Sequence, residues 1–230
     1  MSWQAVLFDL DGTLLSITMA EFVAHYFRAL TAWAAQHGVP EEEFVAKLQV
    51  ATHAMQRNQG PETNAEVFAR HFFPLQGRGA DYWGPVFEAF YRQAFPKLQH
   101  LARPRPAARQ VVEVAIAKGY PVVLATNPLF PEVAVRQRMA WAGVADLPFA
   151  LVTTYENSRA SKPMPAYFEQ VCAAVGAEPE GCLMIGDEPM DMAAAQVGMR
   201  TYWVDEGDNP PPESVQPTWH GALEGVLRVL

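Results

Sequence analysis

Ala5-Val6-Leu7-Phe8-Asp9-Leu10-Asp11-Gly12-Thr13 decides the reading of this chain. Four apolar residues in a row, closed by a glycine turn, have the length and bulk of a short strand buried on both faces. Two acids, two residues apart, follow it at once. They therefore stand at the carboxyl end of a strand, where open α/β sheets bind their ligands. The competing reading is a strand-ending turn with solvated acids, and three motifs further along weigh against it.

Working outward, the same apolar pattern recurs at residues 121–125, 150–153, 183–185 and 201–204, with helical stretches between the runs. Residues 107–118 place Val111, Val114 and Ala115 on one face and stop at Gly119. Residues 131–142 follow the second run. Residues 166–175 space Phe168, Val171, Cys172 and Val175 helically and end at Gly176, and residues 190–197 end at Gly198. Strand and helix in alternation predict an α/β fold, a parallel sheet covered by helices on both faces.

One segment breaks the alternation. Residues 16–102 show no strand pattern but several amphipathic helical ones, at 19–37, 41–57, 63–73 and 82–95. The organisation predicted is an α/β core of residues 1–15 and 103–230, interrupted by an all-helical insertion of residues 16–102. The aromatics Phe72, Phe73, Trp83, Phe87, Phe90 and Tyr91 are read as the insertion's own core. Arg103-Pro104-Arg105-Pro106 reads as an extended connector, and residues 208–212 as a surface loop.

Composition narrows the function. A net charge of −8 argues against a nucleic acid or an anionic membrane as partner, since either calls for a basic face. Cys172 and Cys182 lack metal-binding spacing and read as reduced, buried thiols. No basic stretch leads into an apolar segment at the start, and no run is long enough to span a bilayer. A soluble cytoplasmic protein is the expectation.

The second motif is Thr126-Asn127, whose hydroxyl and amide can donate to a phosphate oxygen. Lys162-Pro163 is the third, and lysine clamps phosphate as a point charge. The fourth is Gly186-Asp187-Glu188-Pro189-Met190-Asp191. Helix capping accounts for Glu188 or Asp191 there. It explains Asp187 less well, because an acid tight against the preceding strand faces the site.

Taken together, in this order and after four successive strands, these motifs make the chain similar to the haloacid dehalogenase-like superfamily. Within it, the resemblance is to the phosphatases that carry a helical cap inserted after the first motif. The resemblance extends over nearly the whole chain. It implies a Rossmann-like core and Mg²⁺-dependent phosphoryl transfer through an aspartyl-phosphate, with a small phosphorylated metabolite as substrate. Asp9 is the expected nucleophile, and Asp9 and Asp187 the expected carboxylate ligands of Mg²⁺. By the same resemblance the backbone carbonyl of Asp11 is a third ligand. Thr126, Lys162 and the backbone N–H groups near Leu10 and Asp11 would hold phosphoryl oxygens. Asp11 would protonate the leaving alcohol and then take a proton from water. That role needs a protonated start and a side chain turned from the metal. Asp191 would orient Lys162 or a metal-bound water, and Glu188 would join the metal shell or cap the helix, the cap being favoured. Ser16, Ile17, Thr18 and Met19 are placed at the mouth, while His25, Arg28, His53 and Arg57 either read a substrate from the insertion or form its solvated face, the solvated face being favoured.

Three rivals remain at this stage. A 2-haloacid dehalogenase also uses an aspartate nucleophile, but Asp11 and Gly12 argue against it. A phosphomutase needs a second phosphate site, and the insertion shows none. A catalytically silent binding protein on this fold should lack one of Asp9, Asp11, Lys162 or Asp187, and all are present.

Overall fold

The computed structural model describes residues 2–207 and 209–230, so Asp208 of the expected surface loop lies outside the described residues. The chain begins with β1 (Ala5–Phe8), every residue of which is buried. After the acidic turn come β2 (Leu15–Ile17), α1 (Met19–Ala35), α2 (Glu41–Gln56), α3 (Asn64–Phe72) and α4 (Ala80–Gln93). A 3-10 stretch, Phe95–Leu101, then leads into β3 (Ala102–Pro104). The alternating part follows as α5 (Ala108–Ala117), β4 (Val122–Leu124), α6 (Glu132–Trp141), β5 (Leu151–Val152), α7 (Pro165–Ala174), β6 (Cys182–Gly186), α8 (Pro189–Met192), β7 (Arg200–Val204) and β8 (Trp219–Gly221).

Six strands form one parallel sheet in the order β5-β4-β1-β6-β7-β8. Val6 lies opposite both Val122 and Leu183, and Phe8 opposite both Leu124 and Ile185. Alternate residues face opposite ways. Val6, Phe8, Leu124 and Ile185 join the larger hydrophobic cluster with α5 and α6. Leu7, Val123 and Met184 join the other, with Tyr167, Phe168 and Val171 of α7. The sheet is thus covered on both faces, as the alternation predicted. Strand order runs from β1 outward to β5 and then restarts on the other side at β6. That reversal puts the topological switch point, the crevice where such sheets hold ligands, at the carboxyl end of β1.

The segment expected to lack strands has one at each border. β2 and β3 pair antiparallel, Leu15 with Pro104 and Ile17 with Ala102, so the insertion leaves and re-enters through a two-stranded ribbon. Three-residue strands with mostly exposed side chains carry no alternation to read. For the same reason β8 went unforeseen. The helix expected at 190–197 is α8 followed by a 3-10 stretch, Ala193–Val197.

The helices of the insertion do not stand apart from the sheet. One hydrophobic cluster runs from Trp83 and Phe90 through Phe22 and Phe95 to Trp141 of α6. Phe95 stacks on Trp141 with centroids 5.4 Å apart. A polar anchor adds to this contact. Asn64, fully buried at the start of α3, donates to the carbonyl of Pro128 (3.0 Å) and to Ser161 Oγ (3.2 Å), and accepts from Asn58 Nδ2 (2.9 Å). Its backbone N–H donates to the carbonyl of Ser158 at 2.7 Å. Among the described residues, no helix is long and apolar enough to cross a membrane.

Asn64→Ala leaves buried partners on both sides without a bond, at about 1–3 kcal/mol. The urea unfolding midpoint should fall accordingly. An unchanged midpoint would show that the apolar contacts alone hold the insertion down.

Candidate active site

The crevice at the switch point is built by two tight turns. After β1 the chain folds back on itself. Leu14 and Leu15 N–H groups both donate to the carbonyl of Leu10, and Gly12 N–H donates to the carbonyl of Leu15. Gly12 has φ +87°, and a Cβ there would lie 2.0 Å from Asp187 Oδ2. Only glycine lets the two strand ends approach this closely. Thr13 Oγ1 donates to Asp187 Oδ1 (2.8 Å), tying the first turn to the end of β6. On the β6 side, a Cβ on Gly186 would lie 2.2 Å from Asp191 Oδ2. That same oxygen accepts the N–H of Glu188 (3.1 Å), while the Glu188 side chain accepts from the backbone of Asp191 in a capping box for α8. Glu188 therefore caps its helix, the reading the sequence favoured.

Lys162 supplies the cation. It is buried, and its Nζ donates to Asp9 Oδ1 at 2.7 Å and to Asp191 Oδ1 at 2.5 Å. Asp9, Asp187 and Asp191 each offer one carboxylate oxygen, all within 4.8 Å of one another. Thr126 is held by its carbonyl, which accepts from Thr153 Oγ1 (2.7 Å) and Tyr167 OH (3.0 Å). Thr126 and Asn127 both border the cavity above Asp9. Asn127 Oδ1 has no protein partner.

The sequence-predicted residues thus converge, with one difference of detail: the carboxylate of Asp191 joins those of Asp9 and Asp187, in addition to orienting Lys162. The carboxylate of Asp11 is outside the cluster, as the expected turn of its side chain requires. Asp11 Oδ2 instead accepts from Nη1 of Arg138, a fully buried arginine of α6 whose guanidinium lies 4.4 Å over the Phe130 ring. Sequence reasoning missed Arg138. The available signal was its spacing from Ala134 and Val135, which puts a cation on the buried face of α6.

The floor opens into a cavity of about 510 Å³ beneath the inserted helices. Met19 reaches it, while Ser16 and Thr18 are exposed. None of His25, Arg28, His53 and Arg57 lines it. The aromatics read as insertion core divide: Trp83 and Phe90 are buried away from the cavity, whereas Phe72, Phe87 and Tyr91 border it.

A model of the haloacid dehalogenase-like hydrolases matches residues 3–198. The chain belongs to this family. Among curated proteins it is 28% identical to a phosphoserine phosphatase of Thermus thermophilus, over 92% of each chain. It is 27% identical to hexitol phosphatase A of Escherichia coli, over 82% of this chain and 76% of that protein. Its fold is similar to that of a HAD phosphatase from Thermococcus onnurineus, with a TM-score of 0.61 at 19% identity over 100% and 97% of the two chains.

The charge balance of this hydrolase's site shows what it can hold. Burial raises the Asp9 carboxyl well above the usual range; Lys162 pulls it down, while Asp191, Asp187 and Asp11 push it further up. Burial and Asp191 push Asp187 up to about 7. Burial lowers the Lys162 ammonium, but Asp191 and Asp9 outweigh it and hold the group protonated. One ammonium thus faces three carboxylates. A like-charge pair at about 4 Å costs about 4 kcal/mol at an effective dielectric of ~20. A hard divalent cation with oxygen ligands fits this donor set and relieves the excess.

The sign of the pH effect follows. Asp187 is raised in the fold, so in metal-free protein its contribution is present below the ordinary carboxylate range and lost as pH rises through about 7. Thermal scans of chelator-treated protein should show Tm falling over that window. Added Mg²⁺ should raise Tm more at pH 8 than at pH 5, and Gly12→Ala, which displaces Asp187, should shrink that rise. Equal shifts at both pH values would contradict the assignment.

Proposed function

We propose that this hydrolase is a Mg²⁺-dependent phosphatase that cleaves the phosphate monoester of a small metabolite through an aspartyl-phosphate on Asp9. The observation that carries the reading is the Lys162 ammonium held between Asp9 and Asp191, beside Asp187, at the carboxyl end of β1. A carboxylate nucleophile must approach a phosphate dianion, and fixed positive charge at that point lowers the barrier. Mg²⁺ held by Asp9, Asp187 and Asp191 would supply further positive charge, with the Asp11 backbone carbonyl a candidate ligand.

The chain's own groups take the remaining work. One Asp9 oxygen bonds to phosphorus as the ester P–O bond breaks. Asp11 gives its proton to the leaving alkoxide. Water then attacks phosphorus, its proton passes to Asp11, and the P–O bond to Asp9 breaks. Between the two halves Asp11 is a carboxylate, the form that Arg138 holds. Thr126 Oγ1 and Lys162 Nζ bind phosphoryl oxygens, and Asn127 steadies them from the same loop. The insertion acts as a cap that keeps bulk water from the first half-reaction. The buried free thiols Cys172 and Cys182 suit a reducing cytoplasm.

Asp9→Asn should lower 4-nitrophenyl phosphate hydrolysis at least about 10³-fold with circular dichroism unchanged. Retained turnover removes Asp9 as nucleophile, and turnover of a 2-haloacid in EDTA would replace the phosphatase reading with the dehalogenase one.

A further inference from the structure

The cavity over Asp9 has two unlike ends. Its floor carries Asp9, Asp11, Thr126, Asn127, Glu188 and Asp191. Its walls come from all four inserted helices and include Val23, Leu30, Phe44, Leu48, Phe72 and Phe87. Among the described residues, no lysine, arginine or histidine lines it. The insertion contributes four polar side chains, and two of them satisfy each other: Tyr26 and Tyr91 share a hydroxyl–hydroxyl bond of 2.8 Å. Thr52 and Gln56 are the others, and Gln56 is exposed; from outside the insertion Tyr155 adds one further hydroxyl.

From this we infer the substrate class: the phosphate ester of a neutral, largely apolar alcohol, whose hydrocarbon part fills the cavity in the insertion. The inference rests on the phosphatase reading and goes beyond it. A carboxylate on the leaving group, as in phosphoglycolate or phosphoserine, would meet no cation in the wall. A hexitol would bury more hydroxyls than the wall can bond, and an unbonded buried hydroxyl opposes binding. At about 510 Å³ the space falls in the range of about 300–1,000 Å³ usual for small-molecule sites, far more than a two-carbon alcohol fills.

The test is a series of n-alkyl phosphates from propyl to octyl, assayed with Mg²⁺ beside sorbitol 6-phosphate, phosphoglycolate and acetyl phosphate. Alkoxide leaving groups in the series have nearly constant basicity, so chain length reports burial alone. kcat/KM should rise about fourfold per methylene until the cavity is full. Hexyl phosphate should exceed both sorbitol 6-phosphate and phosphoglycolate at least about 100-fold. A flat profile, or preference for either polar ester, overturns the inference. Acetyl phosphate separates the two levels. If it is hydrolysed while the alkyl profile is flat, only the substrate class falls; if no phosphate compound is hydrolysed, the phosphatase reading falls and takes this inference with it. Val23→Phe narrows the cavity and should move the optimum to a shorter chain; an unchanged optimum counts against placing the alcohol there. Should that variant misfold, n-alkylphosphonates inhibiting acetyl phosphate turnover by the wild-type protein give the same reading: Ki should fall with each methylene, and a constant Ki overturns the proposal.

Discussion

A single ammonium ion set among two buried carboxylates and a half-buried one is the constraint around which this molecule is organised. Lys162 Nζ reaches Asp9 and Asp191 at once, and Asp187 stands within the same few ångströms. Buried like charges repel, so the arrangement persists only where the backbone leaves them no freedom to part. The parallel sheet provides that. β1 and β6 are neighbours in register, which fixes Asp9 and Asp187 side by side. The turns at Gly12 and Gly186 then pass so close to the carboxylates that no side chain fits. Packing energy in the sheet is thereby spent on holding an electrostatically unfavourable cluster.

The wall of the cavity over Asp9 comes from a different part of the chain. The inserted helices share their hydrophobic cluster with the sheet through Phe22, Phe95 and Trp141, and Asn64 bonds them to the loops around Pro128 and Ser161. The insertion is therefore seated over the carboxylates, and its inner apolar surface becomes the roof of the site. Arg138 links the two parts. It packs over Phe130 beneath the insertion while pairing with Asp11 on the floor.

Much of this was legible in the residues. Strands buried on both faces must be runs of bulky apolar residues, and β1, β4, β6 and β7 announce themselves that way. Asp9, Asp187 and Asp191 were legible because they follow such strands, and Lys162 because of its place in the order of the four motifs. The ribbon of β2 and β3 was not, since three-residue strands with exposed faces have no pattern. Arg138 was missed because its partner lies 127 residues away in sequence. The cavity was hidden for another reason. Helical spacing of Phe72 and Phe87 says that these rings turn inward, but a ring facing a void and a ring facing another ring have the same periodicity.

The central claim is that Asp9 carries the phosphoryl group, and trapping that bond addresses it directly. Protein quenched during acetyl phosphate turnover and reduced with borohydride converts an aspartyl-phosphate to homoserine, which peptide mass spectrometry locates. Homoserine at position 9 is the expected result. Homoserine at another aspartate, or none under conditions where phosphate is being released, would contradict the account.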